Sequence, residues 1–224
     1  GLAAGFTRSA YWLRFSVKNT SRESVPWNLE FAYALLDEIE FYSPTKNGHY
    51  TRIVTGDNHP FSERLIHYRN IVIPVMALPD QYNTYYVRIK TTSSMNVPLK
   101  AWPSNSFYQE VDFIKMILGI FYGAIILALL TSLVNAAILK DIMYLWLCLS
   151  FLGITFYLSG VKGITFQYLW PNSSWWSTVN IPFFVNLGYI PTLLYARMFT
   201  NIKQLWPRFD KICILFLCIN TVAT

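Results

Sequence analysis

The sequence predicts an antiparallel β-sandwich followed by an incomplete bundle of membrane-spanning α-helices, and three observations predict it. The composition is 54% hydrophobic, 17% aromatic and only 13% charged, too apolar for an ordinary soluble protein. The charges are unevenly placed, with 20 of the 30 Asp, Glu, Lys and Arg residues in 1–111 and ten in 112–224. Finally, the first half reads in short alternating runs bounded by turn residues, whereas the second reads in long stretches without a charge.

In the first half, "YWLRFSVKN" at 11–19 sets Leu13, Phe15 and Val17 on one face and Trp12, Arg14, Ser16 and Lys18 on the other, the alternation of a half-buried strand. Strands of the same kind are predicted for "WNLEFAYAL" from 27, "EIEFYSP" from 38, "NIVIPV" from 70, "TYYVRIKT" from 84 and "VPLKAW" from 97. "TKNGHY", "TGDNHPFSE" and "ALPDQYN" between them carry the Gly, Pro, Asn and Asp of turns and loops. Strands at this spacing without helical periodicity make a sandwich, and about 110 residues suffice for one core.

The second half begins with 24 uncharged residues, Met116 to Leu139, then 20 more, Ile142 to Val161, parted only by Lys140 and Asp141. Each exceeds the roughly 20 residues that cross a bilayer, so they form an antiparallel pair. "WPNSSWW" at 170–176 reads as an interfacial loop, and a third helix is expected from about 178 to 199. Lys140, Arg197, Lys203, Arg208 and Lys211 fall on one side against Lys100, Lys115 and Lys162 on the other. That bias places the first half outside the cytoplasm. A fourth helix is expected to start near 212 and to be cut short at 224, and the start at Gly1, with no basic-then-apolar leader, also reads as a cut end. Gly119 and Gly123 have the GxxxG spacing that lets two helix backbones approach, and Pro182 and Pro191 fall inside the third helix. Arg197 is expected to snorkel to the interface.

Several chemistries have no support in the residues. The net charge of +6 divides as +2 and +4 between the halves, with no clustered basic face for nucleic acid. Cys148, Cys213 and Cys218 lie in apolar runs and read as small hydrophobes. His49, His59 and His67 lack metal-ligand spacing. Glu38 and Glu40 share one strand face while Asp37 points to the other, which spoils a glycosidase pair. No catalytic residue, metal site or cofactor is expected.

"YWLRF", "LLDEIEFYSP", "TGDNHPFSER", "RNIVIPV", "YYVRIKTTSSMNVPLKAW", then "FYG" opening a span and "LWP" after the second, occur in order along the chain. In this the sequence resembles bacterial seven-transmembrane receptors with diverse intracellular signalling modules, in the class carrying the second type of extracellular domain. The resemblance implies a jelly-roll-like sandwich similar to carbohydrate-binding modules over 1–106, and a transmembrane region over 107–224. The helices are expected at about 114–139, 142–161, 178–199 and 212–224. It also implies a cytoplasmic output module in cis, such as a histidine kinase or diguanylate cyclase, outside this chain, and a bacterial inner membrane with the sandwich in the periplasm; a second copy of the chain, as a homodimer, is a candidate partner whose presence the sequence leaves open.

The candidate ligand residues are Trp12, Arg14, Asp37, Asp57, Glu63, Arg64 and Arg88. Apolar sugar faces stack on aromatic rings while hydroxyls take hydrogen bonds, so a sheet face bearing tryptophan and charge suits a carbohydrate-like or other small ligand. Arg14, Asp37 and Arg88 match positions that recur in the family, and the same three residues could instead form an ion-pair network pinning the strands. Asp57, Glu63 and Arg64 belong to a loop longer than a hairpin needs, which reads either as a pocket rim or as a cover with Phe61 tucked over the core. Two functions stand at this point: a receptor relaying ligand binding through its helices, with "PSNSFYQEVDF" at 103–113 as a short join working through Phe107, Tyr108 and Phe113; and a membrane-anchored envelope binding or scaffolding protein.

Overall fold

The alternating runs do form strands. A computed structural model describes residues 2–45 and 47–222. Its strands are β1 (Leu2–Phe6), β2 (Tyr11–Lys18), β3 (Val25–Phe31), β4 (Glu38–Pro44), β5 (Tyr50–Thr55), β6 (Ile71–Ala77), β7 (Tyr82–Lys90), β8 (Ser94–Val97) and β9 (Leu99–Pro103). The helices are α1 (Ser104–Leu139), α2 (Met143–Val161), α3 (Ile164–Tyr168), α4 (Ser174–Phe199), α5 (Ile202–Leu205) and α6 (Pro207–Val222). Two compact units result, residues 1–113 with 161–178 and residues 114–160 with 179–224.

In the first unit, sheet one has the order β2-β7-β4-β5, sheet two the order β6-β3-β9, and β1 pairs with β8. Every pairing is antiparallel. The chain passes from sheet one to sheet two and back at β3, β4, β6 and β7, a repeated crossing that a sandwich shares with a jelly roll. The core is the alternate face of both sheets. Ile39, Phe41, Tyr85, Val87 and Ile89 of sheet one are buried with Leu29, Phe31, Ile71 and Ile73 of sheet two. Tyr85 is its centre, with ring centroids 5.4 Å from Phe15 and 5.6 Å from both Phe41 and Trp27.

Sheet two does not leave its outer face to water. Val72 is buried there with Tyr68, and with Phe107 and Val111 of α1, while Trp102 packs on the group from β9. Phe107 and Val111 are four residues apart, so they share one helix face. The helix therefore starts at Ser104, directly after Pro103 of β9, and the join expected at 103–113 is helical. Its buried contacts are Phe107 and Val111, whereas Tyr108 and Phe113 are exposed.

The α2–α4 connection also belongs to the first unit. It holds α3, over which no element is predicted, and α4 opens at Ser174, inside the 170–176 stretch expected to be loop; Gly163 before α3 takes φ +71 while fitting against Ala34 and the Arg69 carbonyl. A side chain would be strained there and would clash.

Among the described residues, three helices are long and apolar enough to cross a membrane: α1, α2 and α4. Residues 223 and 224 of the expected fourth helix lie outside the described residues; its described part is the C-terminal portion of α6, which opens at Pro207, a favoured first position. The close approach of backbones is at Gly153 of α2 and Gly188 of α4, since a Cβ added to Gly153 would collide with the Gly188 backbone. Nearby, Phe156 and Phe184 stack at 4.6 Å. Gly119 and Gly123 meet no other element within 4 Å. Arg197 is paired rather than snorkelling, with Nε and Nη2 donating to the Asp210 carboxylate at 2.7 and 3.0 Å.

These contacts predict opposite outcomes for two small substitutions. Gly153→Ala lowers stability by about 1–3 kcal/mol through overpacking, whereas Gly119→Ala costs nothing and gains up to about 1 kcal/mol of helix propensity. Thermal unfolding of the detergent-solubilised chain checks both.

Candidate functional site

The outer face of sheet one is set by strand register. Trp12 faces Arg88, which faces Glu40, while Arg14 faces Tyr86, Tyr86 faces Tyr42, and Tyr42 faces Arg52. The side chains of these two rows point away from the core because the neighbouring residues, Leu13, Val87 and Phe41, point into it. Trp12 stacks on Tyr42 at 5.7 Å and is 59% exposed. Tyr50 meets Tyr86 edge-on at 5.5 Å, and the Arg14 guanidinium lies over the Tyr86 ring at 6.0 Å. Rings and cations together make an aromatic platform.

Glu40 is the electrostatic centre of this platform. Although it belongs to the outer face it is only 6% exposed. It accepts hydrogen bonds from the Tyr42 hydroxyl at 2.6 Å, from Arg52 Nε at 2.9 Å and from Arg88 Nη1. Arg88 Nη1 also donates to Glu38 at 2.9 Å. The Tyr42 hydrogen bond first, then those of the two arginines, hold the Glu40 carboxyl below its ordinary range.

The residues Arg14, Asp37 and Arg88 do not meet. Arg88 takes Glu38 and Glu40 as partners, Arg14 rests on Tyr86, and Asp37 accepts from Thr91 Oγ1 at 2.9 Å and from the Thr92 backbone N–H and Oγ1 at 2.8 and 2.7 Å. An ion-pair network does cross the sheet, but its members are Glu38, Glu40, Arg52 and Arg88. Arg52 is absent from the predicted set because no strand is predicted over β5, whereas Tyr42 lies on the predicted strand β4, two residues from Glu40 and on the same face. The alternation of Tyr50, Arg52 and Val54 against Thr51, Ile53 and Thr55 was the available signal.

The loop between β5 and β6 is a second cluster. It is tied to the start of β4 by Asp57 N–H to the Leu36 carbonyl at 2.9 Å and Asn58 N–H to the Asp37 carbonyl at 3.3 Å. Phe61 is buried, and its N–H donates to the Pro171 carbonyl at 2.8 Å. Arg64 is only 5% exposed, with its guanidinium 4.8 Å from the Phe61 ring and 5.4 Å from that of Phe166. Its Nη1 donates to the carbonyls of Tyr68 and Arg69 at 3.0 and 2.8 Å. Glu63 is turned outward, 3.6 Å from His59 Nδ1. Thus Asp57 and Arg64 point inward and Glu63 outward.

Asp57 is 4% exposed, and its Oδ1 has no hydrogen-bond partner. Burial, reinforced by the Asp37 charge and only partly offset by Arg64, pushes its carboxyl up to about 7. Burial likewise pushes Arg64 down to about 10.

Comparison with protein families matches both halves of the chain. A family model described as 7TMR-DISM extracellular 2 matches residues 1–103, and one described as 7TM diverse intracellular signalling matches residues 114–224. No curated protein matches the chain.

The Asp57 environment predicts a pH dependence with a definite sign. The folded chain keeps the Asp57 proton up to about pH 7, while the unfolded chain loses it near pH 4. Stability therefore falls as pH rises between those values, and the penalty is complete above the higher one. Asp57→Asn removes it, so melting curves place the variant above the parent at pH 8, by an amount on the order of a few kcal/mol. The gap closes by about pH 4; an equal gap at both pH values would refute the assignment.

Proposed function

The chain belongs to the 7TMR-DISM receptors, and from that membership we propose that its sandwich reads a carbohydrate-like ligand and that its helices pass the event to a cytoplasmic output module in cis. The protein is a membrane sensory receptor whose extracellular-type domain stands outside the membrane and whose two matched modules are sensory rather than catalytic. On the proposed reading the membrane is a bacterial inner membrane and the sandwich lies in the periplasm. The excess of Lys and Arg on the opposite side of the helices supports that orientation.

One observation carries the ligand reading: the platform of Trp12, Tyr42, Tyr50 and Tyr86 on an open sheet, interleaved with Arg14, Arg52 and Arg88. A sugar has an apolar face that an exposed indole covers and hydroxyls that charged groups bond. Glu40 fixes the orientation of Tyr42, Arg52 and Arg88 before any ligand arrives, which lowers the ordering cost of binding.

The relay has a physical path in the first unit. β9 runs into α1 with no intervening residue, and Phe107 and Val111 bury that helix start against Tyr68 and Val72. The β5–β6 loop touches Phe166 and Pro171 of the α2–α4 connection through Arg64 and Phe61. A ligand biases the helices only by binding one of their arrangements better than another. Of the platform strands, β5 continues into the β5–β6 loop, so a change in the geometry of sheet one has a way to reach these contacts.

The test is a neutral oligosaccharide series titrated calorimetrically into the full chain in lipid nanodiscs. At least one member binds, and Trp12→Ala weakens it about tenfold, the loss of roughly 1.4 kcal/mol of ring contact. Unchanged affinity in the variant, or no binding across the series, refutes the platform as the ligand site.

A further inference from the structure

Beyond Arg88 the outer face of sheet one ends in the pair Glu38 and Lys90. A cavity of about 390 Å³ opens there, and Arg8, Asn58 and Thr92 help to line it together with Asp37, Glu38 and Lys90. A second cavity, of about 430 Å³, shares Arg8 and Thr92.

The acids in the first cavity are already engaged. Asp37 takes its three hydrogen bonds from Thr91 and Thr92, and Glu38 accepts from Arg88. The cations are not: among the described residues, the side chains of Arg8, Lys90 and Asn58 have no hydrogen-bond or ion-pair partner. Asp37 keeps its charge, since its donors are neutral, so the two acids balance Arg8 and Lys90 overall; what is left unmatched is donor capacity, that of a guanidinium, an ammonium and an amide. That is the complement of a small anionic group, for which a guanidinium fork offers paired hydrogen bonds. Arg88 forms the border between cavity and platform. The Glu38 and Lys90 positions lie two residues along their strands from Glu40 and Arg88, a separation of about 7 Å.

From this adjacency we infer that the preferred ligand is an acidic saccharide, its carboxylate held by Arg8 and Lys90 in the cavity and a neighbouring ring stacked on Trp12. The inference rests on the platform reading and narrows it from sugars in general to uronate-bearing ones. It also places the ligand against Asn58, whose N–H is bonded to the Asp37 carbonyl at the head of the loop that reaches Phe61, Arg64 and Tyr68. An occupied cavity thus bears on the segment that grips the α1 start and the α2–α4 connection.

The experiment compares a hexuronate trisaccharide with the neutral hexose trisaccharide of the same linkage, titrated into the full chain in nanodiscs. The acidic probe is expected to bind at least tenfold more tightly, and raising the salt from 50 to 500 mM to erode that preference. The double variant Arg8→Ala, Lys90→Ala brings the two affinities together; both side chains are exposed, so the melting temperature stays unchanged and reports an intact fold. Equal affinities in the parent chain, or a preference that survives the double variant, overturn the inference while leaving the platform reading intact. Loss of neutral-sugar binding in Arg8→Ala, Lys90→Ala but not in Trp12→Ala overturns the platform reading instead.

Discussion

The outer face of sheet two cannot be left in water, and most of the first unit follows from how it is covered. Val72 is apolar on that face, and Glu30 beside it is buried with its oxygens taken by Asn70 Nδ2 at 2.6 Å and Trp102 Nε1 at 2.7 Å. Covering these groups requires an apolar lid placed close by, and Phe107 and Val111 of α1 supply it. The helix then begins directly after the last residue of β9, because a flexible spacer would add conformational entropy to the cost of docking. Strand and helix are therefore joined without a spacer. The same covering fixes Tyr68, and through Tyr68 and Arg69 the carbonyls that anchor Arg64. A single packing demand thus sets the helix start and the position of the loop.

Two carboxylates show how differently the first unit handles buried charge. Glu40 is surrounded by donors, two of them cationic, and stays ionised below its ordinary range. Asp57 has a cation in its neighbourhood, yet Arg64 spends its Nη1 on backbone carbonyls and its face on two aromatic rings. The Coulombic help that remains does not offset the loss of water. Glu40 therefore strengthens the sheet across the whole neutral range, whereas ionising Asp57 costs stability within the loop that touches both helix-bearing segments.

Much of the sandwich was legible because a half-buried strand writes its alternation into the sequence. β2, β4 and β7 could be read in this way, and so could the faces on which Trp12, Arg14 and Arg88 lie. β1 was not, since "LAAGF" has little side-chain contrast and a glycine at φ +66. β5 was lost between two turn-rich stretches, and with it Arg52, so the partner set of Glu40 could not be assembled. Asp37 failed for another reason: it precedes β4, where alternation no longer dictates direction, and Thr91 and Thr92 capture it from across the fold. The burial of Arg64 depends on Phe166, a hundred residues further on, and no local pattern encodes that. Hydropathy also put the start of α1 ten residues late, because "SFYQEVDF" is amphipathic and only its Phe107 and Val111 face is apolar.

The membrane half teaches the complementary lesson about spacing motifs. Gly119 and Gly123 have the right interval for close helix contact, yet both face open space, while Gly153 and Gly188, which form no such motif with any neighbouring glycine, are where backbones meet. A small residue permits approach, but approach also needs a partner equally bare at the same height, and that condition joins two helices rather than one. Gly153 meets it because Gly188 lies opposite and the stacked rings of Phe156 and Phe184 fill the space beside the contact. The pairing of Arg197 with Asp210 obeys the same logic. Read alone, a cation near the end of an apolar helix is expected to reach for water. Once α6 brings a buried carboxylate opposite it, two hydrogen bonds to that acid replace the hydration it would otherwise seek. In both cases the deciding residue lies on another helix, so a reading confined to one segment finds the capacity for contact and misses the contact itself.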